Sequence, residues 1–91
     1  MEKTGFIVNP LSVIFNPAID KRNGYSTIVF SWKSKRYIKV NSSGYWILFK
    51  INSHPGIQII ELAKELGQKI SAVKVFIKQM LEEGIIAEYE T

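Results

Sequence analysis

The chain has 91 residues, of which 46% are hydrophobic and 22% charged, with a formal net charge of +4 and no cysteine. A domain this small buries roughly 60–65% of its unfolded surface, so a single core is the limit; the lack of Cys excludes a disulfide framework, a thiolate metal site and a thiol nucleophile, and fits a reducing cytosol. No segment reaches the ~18 apolar residues of a membrane span, and the start Met1–Phe6 has no long apolar stretch behind it, so no signal peptide is read there and a cytoplasmic protein is expected.

The first third is punctuated by Asn9-Pro10 and Asn16-Pro17, and each Pro disfavours helix in the residue before it. Phe6–Val8 and Leu11–Phe15 are both candidates for short strands, and the residues do not choose between them. Asp20–Gly24 reads as a turn, with Asn23-Gly24 supplying positive-φ positions. Tyr25–Trp32 alternates with period two, Ile28, Phe30 and Trp32 on one face and Thr27, Val29 and Ser31 on the other. A short connection leads to Arg36–Val40. Together these make a hairpin whose buried side is expected to be Ile28, Phe30, Ile38 and Val40.

Asn41-Ser42-Ser43 is a cluster of N-cap residues. The apolar run Tyr45–Ile51 behind it is compatible with a buried strand or a buried helix. The caps in front and the turn Asn52–Gly56 behind predict a short helix. Gly56–Gly67 carries Ile59, Ile60, Ala63 and Leu66 on one helical face and stops at Gly67. A second, longer helix is expected to begin at a Ser71 cap and run to Gly84, with Ala72, Val73, Phe76, Ile77, Met80 and Leu81 as its apolar stripe. Ile85–Tyr89 reads as a terminal strand or extended tail. The result is an α+β, winged helix-turn-helix-like domain: an N-terminal antiparallel three-stranded sheet at about residues 6–40, then three helices at about 42–84, then a short tail at 85–91.

The inventory disfavours an enzyme. His54 and Asp20 are the only residues of their kinds, and His54 lies in a loop. No Gly-rich phosphate loop, metal-ligand spacing or carboxylate pair is visible, so no catalytic, cofactor or metal residue is expected.

Two functions suit a helix-turn-helix. In a DNA-binding winged-helix regulator the first turns of the second helix meet base edges. Here they hold Ser71, Ala72, Lys74 and Val75, with Lys74 the one evident reader. Glu82, Glu83, Glu88 and Glu90 would face phosphates, and Arg22 and Arg36 lie outside the unit. On this count nucleic acid is an unexpected partner, and the DNA-binding regulator is the alternative. In the second function Arg36–Val40 is a sheet edge that accepts an extended peptide. Lys74, Ile77, Lys78 and Leu81 fall at i, i+3, i+4 and i+7 along one edge of the long helix. With Lys39 they would favour an acidic peptide. A third class, a subunit bound permanently to a larger enzyme, would expose a large apolar patch.

The order of parts also resembles a known family. A strand ending in Val40-Asn41, a small-residue cap, an apolar helix, a helix carrying Ile-x-Glu-Leu at Ile59, Glu61 and Leu62, and a last helix closing on Leu81–Ile86 are similar to the PqqD family, the RiPP recognition elements. The likeness covers about Tyr25 to Ile86. It implies a non-catalytic domain without cofactor that binds the leader segment of a ribosomally made precursor peptide by strand addition. The domain would then present the precursor to a modifying enzyme such as a radical S-adenosylmethionine enzyme. Carried over by position, the peptide-binding residues would be Arg36, Tyr37, Ile38, Lys39, Val40, Lys74, Ile77, Lys78 and Leu81.

Overall fold

The computed structural model describes residues 4–10, 13–14, 18–20 and 24–90. In chain order the elements are β1 (Thr4–Val8), β2 (Val13–Ile14), β3 (Ala18–Asp20), β4 (Gly24–Ser31), β5 (Arg36–Val40), α1 (Ser42–Ser53), α2 (Ile59–Leu66), α3 (Ile70–Glu82) and β6 (Ile86–Glu90). The three helices and antiparallel strands agree with the expected α+β class. The expected three-stranded N-terminal sheet is corrected: the strands divide between two sheets. Strand β4 pairs antiparallel with β2, β3 and β5. Strand β1 pairs instead with β6, Phe6 opposite Glu88 and Thr4 opposite Glu90. The predicted tail is therefore a strand, and its partner is the first strand of the chain. The predicted strand Leu11–Phe15 is described at Val13–Ile14, and most of the predicted Asp20–Gly24 turn, like Arg22 and Asn16-Pro17, lies outside the described residues.

The hairpin register overturns the expected buried side. Residues 32–35 connect β4 and β5 so that Thr27, Val29 and Ser31 stand opposite Val40, Ile38 and Arg36. Cross-strand partners point to the same face of a sheet. Thr27, Val29, Ser31 and Val40 are buried on one side, whereas Ile28 is 47% exposed. Ile28 and Phe30 had been grouped with Ile38 and Val40. That grouping is one residue out of phase, and a one-residue slip exchanges the two faces.

Helix α1 begins as its caps imply. The Asn41 Oδ1 accepts a hydrogen bond from Gly44 N at 2.9 Å, satisfying one of the orphan donors of the first turn. Its buried residues, Gly44, Ile47, Leu48 and Ile51, recur at helical spacing. They meet Leu62 and Ala63 of α2, Val73, Ile77 and Met80 of α3, and Ile85-Ile86 in one core with Phe6 and Val29. Two predicted face residues are corrected. Ile60 of α2 is 67% exposed, and Ala72 of α3 is exposed.

Strand β1 is held on both edges. Opposite β6, it bridges the turn between α1 and α2: Phe6 N donates to Ile57 O at 3.0 Å and Gly56 N to Phe6 O at 2.9 Å. A Cβ at Gly5 would stand 1.8 Å from the Gly56 carbonyl oxygen. Only glycine lets the two backbones approach so closely. Gly5→Ala is expected to destabilise the protein by about 1–3 kcal/mol, since backbone must shift to relieve the overlap. A urea-unfolding midpoint equal to wild type would show that the approach is not required.

Candidate functional site

A lysine-bearing surface is built by α2, its connection to α3, and α3 itself. Helix α2 ends at Gly67, with φ 65° and ψ 31°. Gly67 N donates to Lys64 O, and Gln68 N reaches back to Ala63 O at 3.0 Å. This paired closure with a left-handed glycine is a Schellman ending, which stops the helix and turns the chain sharply. Three residues later α3 begins. Its N-cap is Lys69 rather than the expected Ser71, with no side-chain cap bond and no acidic residue in the first turn. Buried Leu62 and Ala63 on α2, with Val73 and Ile77 on α3, fix the pair within the core.

The same helical period that buries Val73, Ile77 and Met80 turns the other side of α3 outward. Ser71, Lys74, Val75 and Lys78 are exposed at i, i+3, i+4 and i+7. Lys69 at the cap and Lys64 on α2 are exposed as well. Four lysines thus accompany the helix pair, and the uncompensated positive end of the α3 dipole adds to their field. The opposing carboxylates are partly neutralised within the fold. Glu83 receives the Arg36 guanidinium at 2.8 Å, and Glu65 the Lys50 ammonium at 3.1 Å. Reading the sequence alone, Arg36 lies outside the helix-turn-helix and Glu83 counts against an anionic partner. In the fold they cancel.

The residues expected to bind a peptide are not gathered on one surface. Strand β5 does run beside the last turns of α3, leaving a groove of about 360 Å³ lined by Arg36, Ile38, Gln79, Met80, Glu82 and Glu83. Arg36 and Ile38 enter it, whereas Tyr37 and Lys39 alternate to the opposite face of the sheet. Val40 and Ile77 are core residues at 3% and 2% exposure. Leu81 is half-buried against the core. Lys74 and Lys78 sit on the outer face of α3, not in the groove. The groove carries two glutamates where an acidic leader would require cations.

Comparison with known proteins leads the same way. A family described as winged helix-turn-helix DNA-binding matches residues 47–87, from within α1 through α2 and α3 to the start of β6. No curated protein and no solved structure matches the chain. The family match overturns the resemblance to PqqD-type recognition elements. With it go the roles implied by that resemblance: leader-peptide binding, presentation to a modifying enzyme, and the exclusion of nucleic acid as partner. The likeness included the hairpin before α1, which lies outside the matched segment.

Sequence reasoning missed Lys64 and Lys69. The signal was available in the near-regular series Lys64, Lys69, Lys74, Lys78, which brackets the turn between the helices. Placing the α3 start at Ser71 left Lys69 in a connection and removed it from the count. Gly67→Ala is expected to cost about 1–2 kcal/mol, because an L-residue must then hold the left-handed conformation. No atom lies within 4 Å of the added Cβ, so the loss is read as conformational strain. A thermal midpoint unchanged by the substitution would mean the turn tolerates another geometry.

Proposed function

We propose that this protein binds double-stranded DNA through α3 and acts as a winged-helix transcriptional regulator, with no catalytic step of its own. The observation that carries this reading is the coincidence of the matched segment, residues 47–87, with the helix pair whose outer face carries the lysines. A helix in the major groove presents its N-terminal residues to base edges, while flanking cations meet phosphates. Ser71, Lys74 and Val75 occupy the first two turns on the exposed side. A hydroxyl pairs with several bases, and an apolar side chain such as Val75 suits the thymine methyl group. Lys64, Lys69 and Lys78 stand where phosphates would pass.

Selection from a random duplex library should enrich a discrete site, and binding to it should weaken steeply with salt as counterions are released. Lys74→Ala and Lys78→Ala should each reduce the slope of log K against log[salt] by about 1. Fluorescence anisotropy across a salt series measures both. No enrichment, together with slopes unaltered in both variants, would reject the reading.

A further inference from the structure

We propose that the outer face of the β4–β5 hairpin is a second binding surface, a platform for single-stranded nucleic acid. It uses no residue of α3 and so stands apart from the duplex-binding role proposed above. The register sends Ile28, Phe30, Tyr37 and Lys39 to the side of the sheet away from the helices. There Ile28 is 47% and Tyr37 67% exposed, and Trp32, in the connection that follows β4, is 50% exposed. Single exposed apolar residues on a surface are ordinary, but here they recur along one hairpin in two ring contacts. The Phe30 and Tyr37 rings lie 5.2 Å apart, and the Lys35 ammonium sits 4.5 Å from the centre of the Trp32 ring.

Charge identifies the occupant. Between Gly24 and Val40 the chain carries Lys33, Lys35, Arg36 and Lys39 and no acidic residue. Arg36 is engaged with Glu83 on the inner face and the Lys33 stem lies against Gly84 at the end of α3, while Lys35 and Lys39 are exposed. A second copy docked on this face would bring lysines against lysines, since a two-fold interface apposes the same patch to itself. A neutral apolar partner would have no use for them. An anionic chain with flat apolar groups satisfies both the rings and the cations. A duplex offers base edges and hides base faces, whereas a single strand can lay its bases on exposed aromatic side chains and its phosphates beside lysines. Ile28 to Phe30 spans ~7 Å of strand, with Trp32 in the connection that follows, which suits roughly two or three stacked bases.

The test is anisotropy with fluorescein-labelled oligo(dT) and, separately, with a blunt duplex of mixed sequence. Wild type should bind oligo(dT) saturably. Trp32→Ala and Tyr37→Ala should each weaken that binding about tenfold, the usual scale for one lost stacking partner. Trp32→Phe should restore most of it, and Lys39→Glu, which keeps both rings, should also weaken it. None of these should alter duplex affinity, which Lys74→Ala and Lys78→Ala should lower instead, so the two surfaces succeed or fail separately. Unchanged thermal midpoints would show the variants to be folded, as expected for exposed positions. Oligo(dT) affinity that neither ring substitution moves, or no oligo(dT) binding at all, would overturn the proposal. So would a wild-type dimer in sedimentation that Trp32→Ala converts to monomer. Binding to phosphatidylserine vesicles in place of oligo(dT), lost with Trp32→Ala, would overturn it as well.

Discussion

Everything in this small fold depends on how β1 is held. Its edges are both occupied, one by the Gly56-Ile57 backbone between α1 and α2, the other by β6. A short strand with one free edge would leave backbone groups without protein partners, and the exposed row would invite pairing with another chain. Closing both edges ties the entrance of α2 to the exit of α3. The contact is possible because Gly5 has no side chain where the Gly56 carbonyl passes. Phe6, which follows, enters the core at 6% exposure, so the backbone bonds and apolar burial support one another. Asn9 extends the tie by donating from its side chain to Gly84 O at 3.0 Å and from its backbone to Ile85 O at 2.8 Å.

The second junction joins the β4–β5 hairpin to the end of α3. The buried Ser31 hydroxyl donates to the Glu83 carbonyl and accepts the Ser34 amide at 3.2 Å. Arg36 holds the Glu83 carboxylate from the same side of the sheet. Orphan carbonyls at a helix C-terminus need partners, and here the hairpin supplies one. The same contacts decide the electrostatics of the α2–α3 pair. They draw one acidic charge of the α3 end into an ion pair and leave the lysines of the N-terminal half to act outward. An exposed ion pair adds little stability; its importance here is in where the charge is spent.

Much of the helical half was legible from residue types. The Asn41 cap, the Gly67 stop and the Val73, Ile77, Met80 stripe follow from local rules with a few residues of reach: capping geometry, the left-handed freedom of glycine, and a period of 3.6. The α3 start was misplaced by two residues because Ser71 is the stronger cap by type, while the backbone turned at Lys69. That small shift left Lys69 out of the lysines counted on the α2–α3 pair.

The sequence by itself determined that a hairpin precedes three helices and that the last two form a helix-turn-helix, since these are consequences of neighbours along the chain. It did not determine which face of the hairpin is buried. Each strand alternates regularly, but the relative phase of two strands is set by how their connection turns, and Val29 opposite Ile38 is a tertiary fact. Nor did it determine that β1 pairs with β6, or that Arg36 neutralises Glu83, because these partners are separated by most or half of the chain. Long-range pairing selects among local possibilities of similar energy. The tertiary structure therefore decided which rings and lysines face outward, and with them what the surface can bind.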